Sequence, residues 1–128
     1  MSRLQKLLLA GLLVGGGIAL SVGAAVRPEP TRELTLIARD MAFYLPGDPT
    51  PNPTLVLSRG ERVRITLRHE DPGMTHDFAV ESQKVTTDPL RRAGDTTAVV
   101  LQAPEGPGES EYVCTFHRLM MKGVLKVQ

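Results

Sequence analysis

Cys114 is the only cysteine among 128 residues, and His117 follows it after two intervening positions. Met120 and Met121 lie just beyond, in the same short stretch. A thiolate, an imidazole and a thioether are soft and borderline donors, the combination that suits copper. One further imidazole would complete a trigonal His2Cys set with a weak axial methionine. His76 is the candidate: it follows the Asp71–Gly73 turn and heads the apolar strand through Phe78, Ala79 and Val80. His69 competes for the role. By parity it faces the core if the strand Arg62–Arg68 runs on, but that strand is expected to end at Arg68.

Taken singly, each of these residues has a plainer reading. A lone cysteine is more often a small buried hydrophobe than a ligand, and a lone histidine is ordinary loop chemistry. The spacing from Cys114 to His117, the methionines and the flanking strand-like residues together make metal ligation the better reading. Tyr112 and Val113 lead in, and Val124, Leu125 and Val127 lead out, so the loop should bend back between two strands. Cys, His and His could also hold zinc. A catalytic zinc would want an open position and a general base, and the methionine argues against it.

The loop Cys114–Gly123 resembles that of the cupredoxins, the small blue-copper family that includes plastocyanin, amicyanin and azurin. The Cys114-to-His117 spacing is similar to the plastocyanin and amicyanin loop. Three residues between His117 and Met121, with Lys122 and Gly123 following, are similar to the azurin loop. The resemblance implies one type 1 copper ion held by His76, Cys114, His117 and Met121. It favours Met121 over Met120, because Met121 keeps the family's Met-x-Gly spacing. It also implies electron exchange through the edge of His117, with Phe116, Leu119, Met120 and Met74 around it as an apolar docking patch. Cytochromes or a membrane oxidase would be fitting redox partners. One departure stands out: cupredoxins commonly carry Asn after the first histidine, and this chain has Asp77. An acceptor-only carboxylate there should take a hydrogen bond from the Thr115 N–H or hydroxyl.

The elements that must position these residues read as strands. Glu33–Ala38, Met41–Leu45, Thr54–Leu57, Thr96–Gln102 and Tyr112–Cys114 are β-like. Arg62–Arg68 alternates cleanly, with Val63, Ile65 and Leu67 on one face. Asp77–Glu81 follows His76, and residues 83–95 read as a long connection. The proline-rich stretch Pro46–Pro53 cannot supply ladder hydrogen bonds and is a loop. Short strands, intervening turns and no amphipathic helix predict an all-β sandwich, and the resemblance implies its Greek-key, cupredoxin-like form. With only three Phe and two Tyr, its core should be largely aliphatic.

Ahead of the sandwich, Arg3 and Lys6 precede an uncharged run from Leu7 to Val26. That is the pattern of an export signal, with Ala25 a suitable cleavage position, or of a retained membrane anchor. The domain plan is therefore residues 1–26 as signal or anchor, 27–31 as linker and 32–128 as the sandwich. Either form places the sandwich outside the cytoplasm, periplasmic or at the cell surface, as a monomer. A single thiol in an oxidising compartment needs a reason, and a bound metal supplies one. The net charge of +1 with no basic cluster implies no nucleic-acid partner. One cysteine excludes a binuclear copper centre with two bridging thiolates, and three histidines leave none for a catalytic copper. The chain therefore reads as an electron carrier rather than an enzyme. Copper(I) delivery or storage, suggested by the adjacent methionines, is the alternative.

Overall fold

The computed structural model describes Gly23, Ala24 and Thr31–Gln128. The expected leader and linker lie almost wholly outside the described residues. Nine strands form two sheets: β1 (Arg32–Arg39), β2 (Ala42–Tyr44), β3 (Leu55–Leu57), β4 (Arg62–His69), β5 (Ala79–Val80), β6 (Val85–Thr86), β7 (Thr96–Gln102), β8 (Gly108–Val113) and β9 (Lys122–Val127). One sheet runs β2-β1-β4-β7 and the other β3-β9-β8-β5-β6. Parallel pairing of β1 with β4 and of β3 with β9 makes both sheets mixed. The expected all-β sandwich is the observed one. Among the described residues no helix is long and apolar enough to cross a membrane.

The inner faces meet in a core drawn from both sheets, including Leu36, Val63, Ile65, Leu67, Leu101 and Leu125. The alternation read along β4 is the observed one, but the strand runs one residue further and buries His69 completely. Its backbone N–H donates to Asp95 O, which carries the ladder past Arg68.

Aromatic residues are few, yet three of them form the centre of the core. Phe43, Phe78 and Tyr112 are fully buried, with ring centroids 5.5–6.1 Å apart. Such pairs contribute about 0.5–1.5 kcal/mol each beyond their burial. The rest of the core is largely aliphatic, as expected, with this cluster set within it. Phe78 and Tyr112 each lie two residues from a candidate ligand, His76 and Cys114. Gly123 faces Tyr112 across the β8–β9 ladder, and a Cβ there would run into the phenol ring. That close approach explains glycine at the point where the loop re-enters β9. The Tyr112 hydroxyl, buried, donates to the Pro53 carbonyl and pins the proline-rich loop against β8.

Candidate metal centre

β8 and β9 pair antiparallel, with Val113 opposite Lys122. The eight residues between them, 114–121, form the candidate ligand loop. Four backbone hydrogen bonds close it on itself: Cys114 N–H donates to Met121 O, His117 N–H to Cys114 O, and the Met120 and Met121 N–H groups to His117 O. His76 arrives on the connection between β4 and β5. It exchanges two backbone hydrogen bonds with Leu90, an isolated bridge inside the expected long connection. Ala79 of β5 then pairs with Val113 of β8, which brings the two segments together.

Cys114 is fully buried, and its Sγ lies 3.9 Å from His76 Nδ1. Burial pushes the thiol pKa up; the backbone N–H groups of Asp77 and Phe116 act against that, and the Asp77 carboxylate adds to it. A sulfur buried this way is costly as a free thiolate unless a cation balances it.

The hydrogen-bond partners sort the three histidines. His76 donates its Nε2–H to Asp71 Oδ2 at 2.9 Å, and His117 donates its Nε2–H to Thr75 O at 3.1 Å. Each keeps Nδ1 as its unused ring nitrogen. His69 also donates from Nε2, to Met74 O at 2.7 Å, but its Nδ1 accepts the Asp71 N–H at 3.0 Å. Both its nitrogens are spent. The competitor for the second imidazole position is thus a structural histidine, stacked edge-on beneath His76 with centroids 4.9 Å apart.

The His76 and His117 rings lie 5.2 Å apart. No three His, Cys, Asp or Glu side chains among the described residues stand close enough, as placed, to hold an ion unaided. His76 and Cys114 converge, and His117 stands edge-on against His76, half-buried in the loop. Met121 is fully buried beside Cys114 in the core cluster. Met120 points outward and is 59% exposed, in company with Phe116 and Leu119. A buried sulfur, two imidazoles whose Nε2–H groups are already donated and a buried thioether are a donor set that fits a copper ion.

The loop is tethered at both ends. Asp77 Oδ1 accepts the Thr115 N–H at 2.6 Å, and Oδ2 accepts the Thr115 hydroxyl. Both bonds that the sequence offered as choices are present. Asn52 forms the second tether, accepting the Phe43 N–H on Oδ1 and donating from Nδ2 to Met120 O, each at 3.0 Å.

No protein-family model and no curated protein matches the sequence. Solved structures do. Auracyanin B is 24% identical over 80% of this chain and 93% of its own, with a TM-score of 0.61. Auracyanin A, a "blue" copper protein from the green thermophilic photosynthetic bacterium Chloroflexus aurantiacus, is 17% identical over 77% of this chain and 100% of its own, at TM-score 0.59. The Cu-containing nitrite reductase of Thermus scotoductus SA-01 is 24% identical over 77% of this chain but 28% of its own, at TM-score 0.57. The chain has the cupredoxin fold.

Two residues that support the site in this cupredoxin sandwich escaped the sequence reading. Asp71 reads as a turn former before proline and glycine, and Asn52 as one more polar residue in a proline-rich loop. The available signal for Asp71 was its place between His69 and His76, a carboxylate within reach of two imidazoles. Asn52 carried no comparable signal, because its partners, Phe43 and Met120, are far away in sequence.

Proposed function

We propose that this chain is a mononuclear type 1 copper protein that carries single electrons between redox partners outside the cytoplasm. The observation that carries the reading is the buried Cys114 sulfur, 3.9 Å from His76 Nδ1, the ring nitrogen that Asp71 leaves free to face it. In this reading Cys114, His76, His117 and Met121 would hold the ion. When bound, copper supplies a one-electron couple that thiolate and thioether bias toward Cu(I) and imidazole accommodates in both states. The chain's part is to keep the ligands still. The Asp77–Thr115 and Asn52–Met120 tethers, together with the β8–β9 ladder, fix the loop so that little moves when the charge changes.

The His117 edge is the route for electrons, since it alone of the ligands reaches toward solvent. Phe116, Leu119 and Met120, 49%, 91% and 59% exposed, surround it with an apolar surface for brief docking by a cytochrome or a membrane oxidase. An uncharged segment at residues 7–26 behind two basic residues supports an extracytoplasmic place, secreted or anchored. With His69 spent on structure, the chain has no histidine left for a substrate-converting copper, and we read it as a carrier, not an enzyme.

Exposed Met120 beside buried Met121 favours one second reading, delivery or storage of Cu(I). Repeated reduction and reoxidation in the presence of a Cu(I) chelator separates the two. An electron carrier keeps its copper through the cycles; loss of copper at the first reduction would move the assignment to delivery.

Burial also separates the methionines. Met121→Leu should raise the reduction potential and alter the visible spectrum, because a thioether is exchanged for a non-donor. Met120→Leu should leave the spectrum nearly unchanged. Voltammetry and absorption on both variants check this, and the reverse pattern would make Met120 the axial ligand.

A further inference from the structure

Asp71 receives more hydrogen bonds than a turn residue needs. Its Oδ2 accepts the His76 Nε2–H at 2.9 Å. Its Oδ1 accepts the Asp40 N–H at 2.8 Å, and the Met41 N–H reaches Oδ2 at 3.4 Å. Asp40 and Met41 make the β1–β2 turn with φ of 49° and 57°, a left-handed conformation that non-glycine residues seldom adopt. Two consecutive such residues turn their N–H groups toward one carboxylate, so the turn is shaped to hold it.

The segment carrying Asp71 is held from beneath as well. His69 accepts the Asp71 N–H on Nδ1 and donates to Met74 O from Nε2, spanning the turn. The Met74 N–H closes it by donating to Asp71 O at 3.2 Å. His69 is fully buried, and the Asp71 side chain is 15% exposed. The carboxylate therefore acts on the imidazole largely out of water.

Resting on the copper reading above, we propose that Asp71 is a positioning residue for His76, fixing its Nε2–H tautomer and placing a negative charge behind the ligand. The geometry carries this directly. With Nε2–H given to Asp71, the Nδ1 lone pair faces Cys114 and nothing else. A carboxylate behind a ligating imidazole also raises the ligand's basicity, which favours the more highly charged ion. Asp77 acts on the thiolate side of the site; Asp71 acts on the imidazole side. The two charges come through different ligands and can be removed separately.

Two readouts test the role. In the full chain prepared without copper, at mildly alkaline pH, nitrogen-correlated NMR of the imidazole rings should show His76 with Nε2 protonated and Nδ1 bare. Asp71→Asn offers one oxygen where the carboxylate offered two, so it cannot serve both Asp40 and His76; His76 should move toward the other tautomer while His117 stays as it was. In copper-loaded protein the same variant should lose roughly 10–100-fold in Cu(II) affinity. Cu(I) affinity should change much less, and the visible band should be retained. A His76 found protonated at Nδ1 in the unmodified chain, with no variant needed, would overturn the proposal. So would equal losses of Cu(II) and Cu(I) affinity in Asp71→Asn with the His76 tautomer unchanged, which mark a merely structural role. Failure of the copper reading looks different: the unmodified protein would then show no intense visible band, whatever the tautomer.

Discussion

Copper-loaded protein carrying Cys114→Ser is expected to lose the intense visible absorption altogether while the sandwich stays folded. The band in this account is charge transfer from the thiolate sulfur to copper, and a hydroxyl oxygen is a hard, weakly ionising donor that cannot supply it. The fold should tolerate the change because serine is nearly isosteric and its oxygen inherits a hydrogen-bond partner. His76 Nδ1, which faces the sulfur, can accept from the serine hydroxyl. A satisfied buried hydroxyl should shift stability by only about 1 kcal/mol. Absorption of the loaded variant and a denaturant unfolding curve check the two halves. An intense band that survives the substitution would take the sulfur out of the site.

The second large effect belongs to Asp77. The residue is 3% exposed, and its carboxylate accepts both the N–H and the hydroxyl of Thr115, next to Cys114. A negative charge a few ångströms from the site should favour Cu(II), by on the order of 2–4 kcal/mol at an effective dielectric near 20 before solvent screening. Asp77→Asn should therefore raise the reduction potential. It should keep the spectrum, because the amide oxygen can still take the Thr115 N–H while the Thr115 hydroxyl reverses to accept from the amide. Asp77→Ala should raise the potential too, but with a broadened spectrum and faster copper loss, since the tether between the His76 segment and the ligand loop is gone. Voltammetry at low salt decides. An unchanged potential in Asp77→Asn would mean that the charge is not felt at the metal.

The ligand loop was legible because its chemistry is local: Cys114, His117 and Met121 lie within eight residues, and the strands around them are short and apolar. His76 was legible for a similar reason, at a turn and at the head of an apolar run. The β4 alternation was equally plain over Val63, Ile65 and Leu67, but the end of that strand was not. Its continuation to His69 depends on the partner Asp95, which no local pattern announces. β6 and the His76–Leu90 bridge were hidden for the same cause, being pairs of residues recruited across a connection.

Positioning residues were the least legible of all. Asp71, read as a turn former, serves a backbone turn 30 residues upstream and a histidine five residues on. Asn52 reaches Met120 across 68 residues. Local propensity describes what a residue does to its own chain, whereas these side chains act on other segments. Asp77 was the exception, because a departure from the family's usual residue drew attention to what its chemistry could accept. The aromatic cluster was missed through counting: five aromatic residues are few in the chain, but three of them share one buried place.

The most direct test of the central claim is a titration of the full chain with Cu(II), followed by visible absorption. The account predicts an intense thiolate-to-copper band that grows linearly and saturates at one copper per chain, then bleaches on reduction and returns on reoxidation. Only the weak absorption of copper bound through nitrogen and oxygen, or no saturation at one copper, would contradict it.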